Sequence, residues 1–275
     1  MSPDLPTLAP VEKALRGALA RESPRPFVLG ICGAQGSGKS TLAAALARRF
    51  EAEGVATASL SLDDLYLTKA EREALGRDVH PLLRTRGVPG THDVALGLAV
   101  FDALDRGLAA PLPRFDKSRD DRMGRQLWPE APAGTRLVVL EGWCVGARSQ
   151  DEAALAEPVN ALERDEDGDG RWRRYANDAL AGDYQQLFAR IDMLVLLAAP
   201  GFAVVRAWRT QQERALRAEA APGPAVMSDA EIDRFIQHYE RLTRHILTEM
   251  PGRADLTLEL GEDRSLRRVL LNHAG

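Results

Sequence analysis

Residues 33–41 read Gly33-Ala34-Gln35-Gly36-Ser37-Gly38-Lys39-Ser40-Thr41 and fit G-x-x-x-x-G-K-[ST], the pattern of a phosphate-binding loop. The flanks agree with it. Phe27-Val28-Leu29-Gly30-Ile31-Cys32 is an apolar run of strand length. Thr41 to Phe50 puts Leu42, Ala45, Leu46 and Phe50 on one helical face, with Gly54 just past its end. A nucleotide triphosphate is a dense anion, and glycines let a backbone curl around it with several N–H groups pointing inward. The helix that follows adds its positive N-terminal end. Lys39 would reach the β- and γ-phosphates, and the Ser40 hydroxyl would sit on Mg2+. A plain glycine-rich turn does not account for every fixed position matching between a strand and a helix.

Composition narrows the classes around that loop. The 275 residues are 45% hydrophobic and 28% charged, ordinary for a globular chain able to bury a large core. A net charge of −4 argues against a nucleic-acid partner. Cys32 and Cys144 sit in apolar surroundings with no disulfide spacing, so both are expected to be reduced thiols. The first residues carry Asp4 and prolines without an apolar h-region, and no apolar run approaches membrane-spanning length. The expectation is a cytoplasmic protein with no membrane partner. Composition says nothing of its oligomeric state.

Outward from the loop, a helix over residues 8–21 ends at Ser23-Pro24-Arg25-Pro26. A second strand over 55–61 ends in Leu62-Asp63-Asp64-Leu65-Tyr66. Ligands of open parallel sheets sit at the carboxyl ends of strands, so one of these two acids is expected to act and the other to cap a helix, with Asp63 the acting one. A polar helix spans Lys69 to Leu75. Arg84 to Asp93 is a glycine- and proline-rich loop in which Arg86 and His92 are candidates to face a ligand. The competing role for His92 is a helix cap or a surface position ahead of the helix Asp93 to Arg106. Arg114 and Lys117, in a charged loop, are candidates to hold an anionic group.

Arg136 to Gly142 reads as a buried strand ending in Glu141, the form of a Walker B acid that holds Mg2+ directly or through water. Trp143 is expected to pack. Residues 149–170 read as an irregular, solvated acidic insertion. Asp165 to Gly170 imitates the opening of a calcium loop, but Ala176 stands where the bidentate Glu belongs, so no such site is expected. Asn160 and Asn177, at its edges, are polar site groups or caps. A strand over 191–197 leads to a helix from Phe202 to Ala218, where Arg206 and Arg209 share a face, either as a solvated basic stripe or as a clamp on phosphates in a lid over 202–224. Ala220 to Pro224 breaks the chain. A long helix from Asp229 to Met250 follows, then a strand over 256–260, and a terminal turn or helix over Leu266 to Leu271. No repeat or linker divides the chain, so a single domain over 1–275 is expected.

With these segments in place the chain resembles the D-glycerate 3-kinases of the plant type and their bacterial and fungal relatives, within the P-loop kinases that include uridine kinase, pantothenate kinase and phosphoribulokinase. The matching stretches are Gly33 to Thr41, Ser61 to Thr68, Arg86 to Asp93, Pro113 to Ser118, Leu140 to Trp143, Trp208 to Glu213 and Gln237 to Arg241. The resemblance implies an α/β P-loop NTPase fold, a mostly parallel sheet flanked by helices with a small helical lid. It implies ATP and Mg2+ as co-substrates and a small hydroxy acid as acceptor. Asp63 matches the acid that takes the acceptor's proton and can also face the metal. Glu141 matches the Walker B acid, Arg206 and Arg209 match lid arginines, and Asp64, Tyr66, Arg86, His92, Arg114 and Lys117 become acceptor-side candidates. The expected reaction is transfer of the γ-phosphoryl group to D-glycerate, giving 3-phosphoglycerate. The alternatives are a P-loop kinase for a nucleoside or pantothenate-like acceptor, and a nucleotide-dependent regulatory ATPase.

Overall fold

The apolar runs become neighbours in one sheet. The computed structural model describes residues 5–20, 23–219 and 228–272, the side chains of 212–219 excepted. Its strands are β1 (Phe27–Gly33), β2 (Thr57–Ser61), the two-residue β3 (Ala110–Pro111), β4 (Phe115–Asp116), β5 (Asp121–Arg122) and β6 (Glu130–Ala131), then β7 (Leu137–Gly142), β8 (Met193–Ala198), β9 (Leu256–Leu260) and β10 (Leu266–Leu271). The α-helices are α1 (Leu8–Leu19), α2 (Lys39–Ala52), α3 (Lys69–Asp78), α4 (Val94–Asp105), α5 (Ala161–Glu166), α6 (Arg171–Ala181), α7 (Asp183–Phe188), α8 (Ala203–Glu219) and α9 (Asp229–Glu249).

The main sheet runs β10-β9-β8-β1-β7-β2, parallel throughout except for β10. Its central strands are buried on both faces, which is why they read as continuous apolar runs rather than alternating ones. Val28, Val138, Leu140 and Leu196 face a core shared with Phe101 of α4, Leu187 of α7 and Tyr239 of α9. Leu29, Ile31, Val139 and Val195 face the opposite core, built with Leu15 of α1, Leu46 and Phe50 of α2, and Trp208 of α8. Among the described residues no helix is long and apolar enough to cross a membrane.

Two segments differ from expectation. Leu266–Leu271 is not a turn or helix but the antiparallel edge strand β10, paired with β9. Its side chains are mostly exposed, so the strand carries little of the burial pattern that marks the central ones. The acidic stretch 149–170 is not simply solvated. Glu163 and Asp167 are fully buried. Glu163 accepts from Arg241 Nε at 2.8 Å and Nη2 at 2.6 Å, and Asp167 accepts from Arg173 Nη1 at 2.9 Å. Buried carboxylates are tolerated when paired and hydrogen-bonded, and one partner lies 78 residues away, invisible to a local reading. Both oxygens of Asp167 are also taken by the backbone N–H groups of Trp172 and Arg173, so the calcium-like run is a helix-capping knot. Asn160 caps α5 through the N–H of Glu163, and Asn177 bonds the backbone of Gln150. The chain break expected at Ala220 to Pro224 lies outside the described residues.

Candidate active site

The parallel registers bring three strand ends together. Ile31 of β1 and Ser61 of β2 both stand opposite Glu141 of β7. The loop after β1, the acid ending β7 and the acids after β2 therefore share the carboxyl edge of the sheet, where ligands of such folds sit.

The loop has the conformation that its glycines permit. Gly36 and Gly38 have φ of 77° and 93°, in the left-handed region that favours glycine. A Cβ on Gly36 would lie 2.7 Å from Trp208 Cβ, so this position also needs the missing side chain for space. Helix α2 starts at Lys39 with Gly38 as its cap and no side chain bonded to its N-terminal N–H groups. That leaves its donors and its dipole for an anion. Arg264, in the turn between β9 and β10, donates to Gly36 O at 2.6 Å and lies 5.3 Å over the Trp208 ring. Trp208 in turn donates to Glu262 O at 2.7 Å. Sequence reading missed Arg264, because an arginine in a turn carries no signal of the loop that it reaches 228 residues away.

Ser40 Oγ donates to Glu141 Oε1 at 3.0 Å. Glu141 is buried, and its Oε2 has no hydrogen-bond partner. The buried Gln35 Oε1 and Ser37 Oγ of the same loop also lack partners. A hydroxyl beside a carboxylate with a vacant buried oxygen is the donor set of a hard divalent cation, so these residues fit Mg2+. Among the described residues no group of three or more His, Cys, Asp or Glu side chains converges on a metal.

Asp63 and Asp64 take different partners, and neither is the helix cap expected of one of them. Ser61 caps the short turn Leu62–Leu65, and Thr68 caps α3. Asp64 accepts from the Phe115 N–H at 3.0 Å and from Arg114 at 3.3 Å, pinning the loop that carries Lys117. Burial raises its carboxyl pKa. Asp63 accepts from the Tyr66 hydroxyl at 2.8 Å through Oδ1 and from Lys117 Nζ at 2.6 Å through Oδ2. Burial by itself would raise the Asp63 carboxyl, but the charges of Lys117 and Lys39 and these two hydrogen bonds hold it well below the usual carboxylate range.

His92 is neither a cap nor a surface residue. Asp93 caps α4 through the Leu96 N–H, and His92 is 5% exposed. Its ring stacks on Tyr66 at 4.6 Å between centroids, and its Nδ1 lies 2.5 Å from the Tyr184 hydroxyl. Burial lowers its pKa to about 3, so it is a neutral support under the Tyr66–Asp63 pair. Its burial was not legible in the sequence because its partners, Tyr66 and Tyr184, come from two distant segments.

The loop 86–92 is fastened from two sides, on one of them by Trp143, which was expected only to pack. Trp143 Nε1 donates to Gly87 O at 2.9 Å, and Tyr239 of α9 donates to Arg86 O at 3.1 Å. The two rings meet edge to face at 4.9 Å. Gly87, at φ 135°, has Tyr239 Oη where a Cβ would stand, 2.1 Å away. Arg86 itself is ion-paired with Asp120. Arg72, almost fully buried, donates to the carbonyls of Leu67, Arg84 and Asp120, joining three of the surrounding loops.

Of the two lid candidates, Arg206 forms an exposed pair with Asp233 of α9, with Nη2 3.0 Å from Oδ2, and is not drawn into the cluster. Arg209 lies 5.2 Å over the Phe235 ring, which itself contacts Tyr239. The side chains of Gln212 and Glu213 lie outside the described residues.

No protein-family model matches the chain. An uncharacterized kinase of Schizosaccharomyces pombe, mug58, is 39% identical over 246 residues, covering 83% of this chain and 84% of that protein. The chloroplastic D-glycerate 3-kinase of Arabidopsis thaliana is 31% identical over 259 residues, covering 87% of this chain. The match takes in 54% of the plant protein, so the chain spans about half its length. The solved D-glycerate 3-kinase of Cryptococcus neoformans var. grubii superposes with a TM-score of 0.77 at 25% identity, over 95% of this chain and 96% of that one. With the phosphate loop, the acid-bearing strand ends and these relatives in agreement, the chain belongs to the D-glycerate 3-kinase family of P-loop kinases.

Proposed function

We propose that the protein transfers the γ-phosphoryl group of ATP to the 3-hydroxyl of D-glycerate, giving 3-phosphoglycerate and ADP. The observation that carries this reading is the meeting, at one sheet edge, of an uncapped helix end behind Gly38, the Ser40–Glu141 pair with its vacant oxygen, and Asp63 held ionised beside Tyr66. Similarity to two D-glycerate 3-kinases supports the acceptor.

Charge in such a transfer spreads over the oxygens around the γ-phosphorus, so positioned cations and N–H groups do most of the work. The N–H groups of residues 34–40 and the Lys39 ammonium would hold the β- and γ-phosphates. Ser40 and Glu141 would hold Mg2+, which when bound offsets phosphate charge. Asp63 would accept a hydrogen bond from the acceptor hydroxyl, orient its oxygen towards phosphorus and take its proton, with Tyr66 fixing the carboxylate. Arg206 and Arg209 would serve as the lid arginines, and Arg206 would have to leave Asp233 to contribute. The buried free thiols Cys32 and Cys144 support a reducing, cytoplasmic setting.

The test is ATP turnover with and without D-glycerate, with the position of the new phosphate read by 31P NMR. Strong stimulation and a 3-phosphate product are expected. Slow hydrolysis indifferent to D-glycerate would overturn the reading.

A further inference from the structure

The cations of the loops around Asp63 are mostly committed to scaffolding. Arg72 bonds three carbonyls, Arg86 pairs with Asp120, Arg114 with Asp64 and the Pro113 carbonyl, and Arg122 with Asp93 and the Tyr66 carbonyl. Lys117 differs. Its side chain is 61% exposed, and its ammonium is spent on the carboxylate of Asp63, the group that the acceptor hydroxyl must reach.

The backbone beneath it is fixed while its head is not. The β4–β5 hairpin that carries Lys117 is tied by Asp64 to the Phe115 N–H at 3.0 Å, by Asp121 to the Lys69 N–H at 3.0 Å and by Arg72 to Asp120 O at 2.6 Å. The exposed Lys117 head can exchange one anionic partner for another, and the half-buried Asp63 that it leaves keeps its bond from the Tyr66 hydroxyl.

We propose that Lys117 determines specificity for a carboxylate-bearing acceptor, its ammonium passing from Asp63 to the acceptor carboxylate and so opening Asp63 Oδ2 to the acceptor hydroxyl. The inference rests on the kinase reading above and deepens it. With Tyr66 on Oδ1 and the Lys117 ammonium on Oδ2, the Lys117 charge makes the Asp63 carboxylate a weaker base for the proton of an incoming hydroxyl. A bound hydroxy acid supplies the anion that draws Lys117 away. The acceptor hydroxyl then donates to Oδ2, its oxygen bonds to the γ-phosphorus, the bond from that phosphorus to the β–γ bridging oxygen breaks, ADP leaves, and the hydroxyl proton stays on Asp63. A neutral polyol, or water, has no charge with which to displace Lys117. The same contact therefore selects the acceptor and restrains ATP hydrolysis before it arrives.

The experiment compares the intact wild-type protein with Lys117→Gln and Lys117→Ala, using D-glycerate, glycolate, L-lactate and the neutral analogue glycerol as acceptors, and ATP alone. In both variants the KM for the acid acceptor should rise about tenfold or more, the loss expected for one charge-assisted contact, with the KM for ATP unchanged. The preference for the acid over glycerol should fall by a similar factor, and acceptor-independent hydrolysis should increase. Variants that keep the wild-type acid KM, the wild-type preference and the wild-type hydrolysis rate overturn the proposal. Loss of turnover with the acid KM and the preference unchanged also overturns it, since that is the pattern of a merely structural role. Should glycolate or L-lactate, and not D-glycerate, stimulate the wild-type protein, the acceptor reading fails while the acid-to-glycerol ratio still decides the role of Lys117. If no acid is preferred over glycerol by the wild-type protein, the proposal falls.

Discussion

Ser40, the first hydroxyl of helix α2, and Glu141, 101 residues later at the end of β7, meet at 3.0 Å, and the second oxygen of Glu141 is buried without a partner. A buried carboxylate oxygen without a hydrogen bond is costly unless a cation completes it. Glu141→Gln should therefore leave the fold intact and lower turnover by about 10²–10³-fold, the range seen when one electrostatic contact to the transition state is removed. A titration of activity against magnesium should show a higher metal requirement in the variant. Wild-type turnover and metal dependence in Glu141→Gln would remove the residue from the metal site.

Asp63 and Tyr66 form the second such unit. Asp63→Asn should keep ATP affinity near the wild-type value and cost about 10²–10⁴-fold in turnover, the usual worth of a positioned base. Tyr66→Phe removes only the hydroxyl that fixes Oδ1, and the expected loss is about tenfold. Single-turnover rates with saturating ATP separate the two, and equal losses would argue that Tyr66 acts on substrate rather than through Asp63.

Tyr239 reaches the acceptor-side loop from α9 through a bond of 3.1 Å to Arg86 O. Tyr239→Phe should raise the acceptor KM several-fold, roughly the effect of one hydrogen bond, with little change in the KM for ATP. The ring is kept, so its contacts with Trp143 and Phe235 persist. A uniform fall in thermal stability without the KM change would assign Tyr239 to packing alone.

The phosphate loop is braced from the C-terminal hairpin. Gly36→Ala would push a methyl group against Trp208 and force a left-handed φ on alanine, so nucleotide binding should be largely lost, with stability reduced by about 1–3 kcal/mol. Arg264→Ala removes the tie to Gly36 O without that clash. It should weaken ATP binding by about tenfold while leaving the acceptor KM unchanged, as isothermal titration and steady-state kinetics would show.

Two histidines set a pH dependence of stability. Burial lowers His92 to about 3 and His238 to about 4, from an unfolded value of 6.5. Below pH 6.5 the unfolded chain takes up protons that the folded chain refuses, so stability is full above that pH and declines as the pH falls towards those two values. Between pH 6.5 and 5 the decline should be on the order of 2 kcal/mol for each histidine. Urea unfolding at pH 7 and pH 5 measures it, and His238→Gln should flatten part of the slope.

The sequence by itself determined the phosphate loop, the run of β1, β2, β7, β8 and β9, the acids at the strand ends and the kinase resemblance. Each is written within a dozen neighbouring residues, where glycine spacing and apolar runs express local backbone needs. The setting of Asp63 and Asp64 was half legible. Two adjacent acids at a strand end announce a site, but which of them faces Lys117 and which holds the Phe115 N–H depends on a loop some 50 residues on. Only the tertiary structure decided that His92 is buried under Tyr66, that Trp143 and Tyr239 fasten one loop, that Arg264 braces another, and that the acidic stretch is stitched to α9 by Arg241. These are pairings between side chains and distant backbone or charge. Their energy comes from satisfying buried polar groups, and a one-dimensional pattern does not say which partner the folded chain will bring.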